Sequence, residues 1–303
     1  MIPCPICKMQ SEFLAHGILA PWILELTSQT FVETKLLKCI SCDFVYFSHR
    51  FSESELQKLY SDYRDDSYFK LRNKWEPWYR RSINDAYKGN SNAVDVRVEF
   101  MTKLIKSSGC TTLGMVLDIG GDEGQFFPEI PLTKRVVIDP SNKPLRENVD
   151  RAKSLNDVTE EINLIIAAHI LEHVNEPVAF VAELCSHLHV GGMIYIEVPL
   201  DCPKIKKSHS QISYQEYLLK LSNRTQSIRI LFDFITGINR QFSREIPKYG
   251  LVKQSEHINY FSKRSLDEIL SKSGMTAVAS NSNPDASTGG LRLGKLGILA
   301  IKQ

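Results

Sequence analysis

The sequence predicts an α/β fold: helices cover a mostly parallel sheet, with a small cysteine-rich module in front and a helical insert. Three observations carry this. Short apolar runs alternate with amphipathic stretches between residues 113 and 200. The first run leads into a glycine-rich turn, LDIGGDEGQF. Two Cys-x-x-Cys pairs stand within the first 42 residues.

The chain has 303 residues, enough for one large domain and a small one. A formal charge of +2 gives it no strong bias toward nucleic acid or membrane. No apolar run approaches the roughly 18 residues of a membrane span. The opening MIPCPICK has neither the basic nor the apolar region of a signal peptide. A cytoplasmic location is therefore expected, with the seven cysteines reduced.

Residues 1–50 form the expected module. Cys4 and Cys7, then Cys39 and Cys42, make two knuckles separated by 31 residues. Together they supply the four thiolates of a closed tetrahedral structural zinc site, like that of a zinc ribbon. A redox pair or an empty site are the alternatives, and no βαβ context surrounds either pair. Cys110, Cys185 and Cys202 are scattered and read as packing residues.

Residues 51–110 read as a helical linker or cap. Ser52 and Glu55 have capping-box spacing ahead of Leu56, Leu59 and Tyr60. Val94, Val98, Met101, Leu104 and Ile105 then share one helical face that ends at Gly109. The core spans 111–303. Its strand candidates are MVLDIG (115–120), RVVIDP (135–140), NLIIAAH (163–169) and GMIYIEVP (192–199). Pro177 to Leu188 has helical periodicity, with Gly191 and Gly192 expected to end it. The insert at 201–250 reads as helical and basic, with nine Lys and Arg against four Asp and Glu. A short helix starting near Ser262 or Ser265 closes at Gly274, and two strand-like runs end the chain.

The glycine turn is the strongest local signal. Gly120, Gly121 and Gly124 let backbone approach a ligand, and a helix is expected to follow with free N–H groups. Asp139 closes the next strand 21 residues after Asp118, where a carboxylate can accept from both hydroxyls of a ribose. The alternative is a tight strand–helix turn that binds nothing.

These residues resemble the class I S-adenosylmethionine-dependent methyltransferases, whose run is hydrophobic-Asp-x-Gly-x-Gly-x-Gly followed by an acidic residue ending the second strand. Asp118, Gly120, Gly124 and Asp139 match; Asp122 stands where the middle glycine usually is. The resemblance extends through AAHILEHV, LHVGGMIYIEVP and EHINYFSKRSLDEIL, over about residues 95–301. It implies a Rossmann-like seven-stranded sheet with an antiparallel last strand, and S-adenosylmethionine bound by Asp118, Gly120, Gly121, Gly124, Asp139 and His169. An Asp122 side chain would crowd the cofactor's amino-acid end or bond to it. The combination is similar to bacterial methyltransferases of sugars and surface glycans, many of which carry a cysteine module.

HILEH (169–173) also matches the inverted zinc-peptidase motif, which needs both histidines on one helix face. Here it follows a strand. The resemblance implies that His169 faces cofactor and acceptor while Glu172 and His173 organise the next turn. Glu256 and His257 are the other candidate catalytic pair, a carboxylate orienting an imidazole base, or else a surface turn. Gln254 stands where sugar C-methyltransferases would place a nearby tyrosine, so transfer to oxygen is favoured over carbon. Lys206, Lys207, Arg224, Arg229, Arg240 and Arg244 either form a lid for an anionic acceptor or a solvated helix face. A sugar, nucleotide-sugar or glycan hydroxyl is the expected acceptor. A nucleic-acid substrate is not expected: His169 replaces the Asn/Asp-Pro-Pro-aromatic phrase of base-amino methyltransferases. A non-catalytic nucleoside-binding module is the remaining alternative.

Overall fold

The computed structural model describes residues 2–85, 92–141, 143–205, 209–225, 228, 230–231, 234, 251–283, 287–288, 291–292 and 294–303. The elements are β1 (Ser11–Leu19), α1 (Pro21–Thr27), β2 (Glu33–Cys39), β3 (Val45–Phe47), α2 (Glu53–Tyr60), α3 (Asp66–Trp75), α4 (Arg81–Asn84) and α5 (Asn92–Ser107). There follow β4 (Leu113–Ile119), β5 (Leu132–Ile138), β6 (Asp150–Ala152), β7 (Ile162–Ala168), α6 (Pro177–Ser186), β8 (Leu188–Leu200) and α7 (His209–Arg224). The last are β9 (Val252–Gln254), β10 (Asn259–Tyr260), α8 (Lys263–Lys272), β11 (Met275–Asn283), β12 (Ser287–Thr288), β13 (Leu291–Arg292) and β14 (Gly294–Lys302). No helix among the described residues is long and apolar enough to cross a membrane.

The chain divides into two compact units, Asp85–Leu200 with Phe261–Gln303, and Met1–Asn84 with Asp201–Tyr260. The first is an α/β unit built on a seven-stranded sheet, ordered β11-β14-β8-β7-β4-β5-β6. β4 to β8 run parallel, and β14 runs antiparallel to both its neighbours. β4, β7 and the second half of β8 are buried on both faces, so their apolar runs mark them directly, whereas β5 buries only Val136 and Val137 and β6 lies at the exposed edge. The chain leaves β4 for β5 and β6 on one side, then returns to β7 on the other. Strand order therefore reverses at the β4/β7 boundary, where such sheets bind ligands at their carboxyl ends. α5 buries Val94, Val98, Met101, Leu104 and Ile105, as its periodicity requires. α8 is capped by Ser262, whose hydroxyl accepts from the Ser265 N–H.

Two local expectations fail here. No helix follows the glycine turn; residues 120–131 are turns, bends and irregular chain. Gly120, Asp122 and Gly124 take positive φ, which breaks a helical nucleus, and Pro128 and Pro131 follow. The loop's own N–H groups, not a helix terminus, must therefore do any cradling. The Gly191–Gly192 pair lies inside β8 rather than ending α6, which stops at Ser186.

The other unit is a five-stranded sheet, β10-β3-β2-β1-β9, with α1 to α3 beside it. β9 and β10 come from beyond residue 250 yet join the strands that carry the cysteines. β9 runs parallel to β1, and Gly17 permits the approach: a Cβ there would stand 2.5 Å from the Val252 carbonyl oxygen. α2 has the expected capping box, with Ser52 N–H donating to Glu55 at 2.7 Å. α7 supplies the helix expected in the insert; Lys206, Lys207, Arg229, Arg240 and Arg244, with Ile235, Ile238 and Phe242, lie outside the described residues, as does the Arg224 side chain.

Candidate functional site

In the α/β unit the site begins where β4 ends. Asp118 is the next-to-last residue of that strand and is almost wholly buried. Burial pushes its carboxyl up to about 7; the Arg97 charge opposes this and Asp139 adds to it. Its Oδ2 has no hydrogen-bond partner among the described residues. Gly121 must be glycine because a Cβ would fall 2.6 Å from that same oxygen. Gly120 and Gly124 hold φ of +68° and +80°, which side chains rarely adopt. The turn thus presents backbone around a buried carboxyl oxygen that lacks a donor.

Asp139, at the end of β5, braces this turn. Its Oδ2 accepts from the Asp122 N–H at 2.9 Å and its Oδ1 from the Ser141 N–H at 2.7 Å. A carboxylate has about four lone-pair positions, so both oxygens can still accept from ribose hydroxyls. Asp122 adopts φ +52°, the left-handed backbone that the usual glycine would supply. Its side chain is drawn to Lys143 Nζ at 2.8 Å and the Ser141 hydroxyl at 3.4 Å.

His169 follows β7 on the other side of the strand-order reversal. It too is strained, with φ +59°. Its N–H donates to the Glu197 carbonyl at 2.8 Å, and ring Nε2 lies 3.0 Å from Glu197 Oε1. Ring Nδ1 lies 3.3 Å from Glu172 Oε1. Both nitrogens therefore face carboxylates, which suits a fixed imidazole better than a base open to an acceptor. Leu171–His173 forms a 3-10 turn, so His169 and His173 do not share an α-helical face as the peptidase reading requires.

Sequence reading missed what surrounds His169. Glu197 is fully buried in β8 and also takes Arg97 Nε at 3.1 Å and the Tyr195 hydroxyl at 2.6 Å, with Lys295 Nζ at 3.8 Å. Burial raises this carboxyl, but the His169 hydrogen bond and the Arg97 charge outweigh it and hold it well below the carboxylate range. Arg97 also donates to the Ala168 carbonyl at 2.9 Å and lies over the Phe126 ring. The available signal was one charged residue inside the apolar run IYIEVP.

The second unit holds the other candidates. Sγ atoms of Cys4 and Cys42 are 3.7 Å apart and those of Cys7 and Cys39 are 3.3 Å apart, and all four lie within 4.8 Å of one another. These separations exceed an S–S bond and approach the roughly 3.8 Å expected on a tetrahedral zinc with bonds of about 2.3 Å. The Ser41 and Cys42 N–H groups donate to Cys39 Sγ at 3.3 and 3.4 Å, which suits a thiolate ligand. The donor set thus fits zinc.

Glu256 and His257 lie between β9 and β10 but turn to different partners. Glu256 is buried and accepts from the Tyr68 hydroxyl at 2.5 Å, Arg72 Nη1 at 2.6 Å and the Ser255 hydroxyl at 2.5 Å. Burial raises its carboxyl, but the Arg72 charge prevails and holds it well below the usual range. His257 Nδ1 instead lies 2.8 Å from Asp201 Oδ2.

The methyltransferase-domain family model matches residues 93–280. No curated protein matches the chain. Among solved structures, it is similar to the N-methyltransferase NodS of Bradyrhizobium japonicum WM9 in complex with S-adenosyl-L-homocysteine. Identity there is 14%, over 76% of this chain and 98% of that one, with a TM-score of 0.43. The Burkholderia thailandensis 1,6-didemethyltoxoflavin-N1-methyltransferase shares 13% identity over 89% of this chain and 96% of that one, with a TM-score of 0.45. Magnesium protoporphyrin IX methyltransferase of Synechocystis PCC 6803 shares 12% over 80% and 98%, with a TM-score of 0.42. With the family model spanning more than half of its length, the chain belongs to the methyltransferase-domain family and is an S-adenosylmethionine-dependent methyltransferase.

Proposed function

We propose that this enzyme methylates a hydroxyl of a sugar, nucleotide sugar or surface glycan, with His257 as the base. The observation that carries the reading is the His257 imidazole hydrogen-bonded to a carboxylate at 2.8 Å. An alcohol is too weak an acid to react unaided at neutral pH, so a positioned imidazole suits that acceptor. Bound S-adenosylmethionine supplies an activated methyl on a sulfonium. The orphaned Asp118 oxygen and the left-handed turn at Gly120 and Gly124 fit that group. Asp118, Gly120, Gly121 and Gly124 would line it, Asp139 would accept from its ribose hydroxyls, and His169 would stand beside it.

His257 would take the proton of the acceptor hydroxyl as its oxygen bonds the methyl carbon and the methyl–sulfonium bond breaks, with S-adenosylhomocysteine as the leaving group. Glu256 serves as an anchor for the segment, since its oxygens are committed to Arg72, Tyr68 and Ser255. The basic residues of 201–250 would recognise phosphate on the acceptor. Cys4, Cys7, Cys39 and Cys42 would hold one structural zinc, as thiolates persist in a reducing cytoplasm.

The test is incubation with methyl-labelled S-adenosylmethionine and a panel of nucleotide sugars and glycans, read by mass spectrometry. Label on a sugar oxygen is expected, with turnover lowered roughly 100-fold by His257→Ala. Label found only on nucleic acid or on nitrogen would overturn the reading.

A further inference from the structure

We propose that Asp201 is a positioning residue for methyl transfer, holding the ring proton of His257 on Nδ1 so that Nε2 is the basic nitrogen. The proposal rests on the reading of His257 as the base. Sequence adjacency points to Glu256 for this task, and the geometry points elsewhere.

Glu256 is spent. Its Oε1 takes both the Tyr68 hydroxyl and Arg72 Nη1. Arg72 is itself held over the rings of Trp22, Tyr68 and Tyr79, and its Nε pairs with Glu76 at 2.9 Å. Glu76 in turn takes Lys253 Nζ at 2.7 Å. This buried chain of charges ties residues 253 and 256 to α3, which fixes backbone rather than an imidazole.

The segment is fixed on both sides of His257. Leu19 registers with Gln254 in the β1–β9 pair, and Tyr46 with Asn259 in the β3–β10 pair. The Phe47 N–H donates to the Ile258 carbonyl at 2.9 Å. Gln254 Nε2 donates to the His49 carbonyl at 3.1 Å, and Arg50 Nη1 to Asn259 Oδ1 at 2.6 Å. With the backbone set, the ring's rotation and tautomer remain to be chosen. Asp201 is buried, 7% exposed, and its Oδ2 lies 2.8 Å from Nδ1. A carboxylate only accepts, so the shared hydrogen belongs to Nδ1 and the neutral ring keeps its lone pair on Nε2. An amide at 201 can donate instead, which selects the opposite tautomer.

The experiment is nitrogen NMR of full-length protein labelled at histidine and loaded with S-adenosylhomocysteine, with His257→Ala used to assign the ring. Wild type should show a protonated Nδ1 and an unprotonated Nε2 on His257. Asp201→Asn should reverse or mix the two signals, and Asp201→Glu should restore them in part. An unprotonated Nδ1 in the neutral wild-type ring overturns the proposal with no variant needed. In turnover on the panel's labelled sugar acceptor, Asp201→Asn should lower kcat roughly 100-fold with acceptor KM little changed. Should His257→Ala be inactive while Asp201→Asn turns over normally, Asp201 is excluded and the base reading stands. Should His257→Ala turn over normally, the base reading fails, and the positioning role fails with it.

Discussion

His169 and Glu197 are bonded to each other twice, once through backbone and once through side chains. The His169 N–H donates to the Glu197 carbonyl at 2.8 Å, and Nε2 meets Glu197 Oε1 at 3.0 Å. The pair closes the β7–β8 ladder, where Ala168 registers with Glu197, and holds His169 at φ +59°. Strain of this kind persists only where surroundings over-determine it. Arg97, Tyr195 and Lys295 on the same carboxylate supply that determination.

Glu197→Gln keeps the shape but leaves two buried cations with no opposing charge. Urea unfolding at pH 7 should show a loss of roughly 3–5 kcal/mol. The folded Glu197 carboxyl sits below its unfolded value, so its contribution is complete above about pH 4.3 and fades as pH falls below that. The gap between wild type and variant should therefore narrow in acid. His169→Ala should weaken S-adenosylhomocysteine binding as well as turnover, because its ring stands at the carboxyl end of β7.

Asp118→Asn should separate stability from cofactor affinity. The unfolded carboxyl ionises near pH 4, whereas burial holds the folded one to about 7. Between those values the folded state binds more protons, so stability falls as pH rises. The ligand-free variant should match wild type near pH 4 and exceed it by on the order of 4 kcal/mol at pH 8. Calorimetry should show weaker S-adenosylhomocysteine binding. A variant less stable than wild type at pH 8 would contradict the burial argument.

Asp139→Ala removes the acceptor for two backbone N–H groups as well as the proposed ribose contact. Affinity for S-adenosylhomocysteine should fall about 10- to 100-fold, the cost of one or two charge-assisted hydrogen bonds. Gly121→Ala should be at least as damaging, since its methyl meets the Asp118 carboxyl at 2.6 Å. Retention of tight binding by both variants would move the cofactor away from this turn.

Elemental analysis should find one zinc per chain. Cys39→Ser, or prolonged chelation, should release it and lower the melting temperature, because a metal held by all four thiolates would join the β2–β3 knuckle to the N-terminal one. A metal-free protein with all four thiols titratable and an unchanged melting temperature would remove the zinc.

Local signals reached far into this fold. The parallel strands were legible because burial on both faces leaves continuous apolar runs in β4, β7 and the second half of β8, while in β5 the buried pair Val136 and Val137 gives a shorter one. The Ser52–Glu55 capping box lies within four residues, and the cysteine knuckles within four residues each, so spacing alone revealed them. The helix expected after the glycine turn failed because three residues of positive φ and two prolines override the usual β-turn-α phrase. What no local pattern could show is which distant segments meet. β9 and β10 join the cysteine-bearing sheet from more than 200 residues away, on two- and three-residue strands too short to carry a period. Adjacency in the chain points to Glu256 as the carboxylate for His257, yet the one 2.8 Å from its Nδ1 is Asp201, 56 residues away. Arg97 and Glu197 likewise meet across α5 and β8. The sequence alone determined the strands, the glycine turn and the cysteine quartet, since each rests on residues near one another in the chain. Tertiary structure alone decided the partners of the buried charges, because an ion pair between distant segments depends on where the folded backbone delivers them.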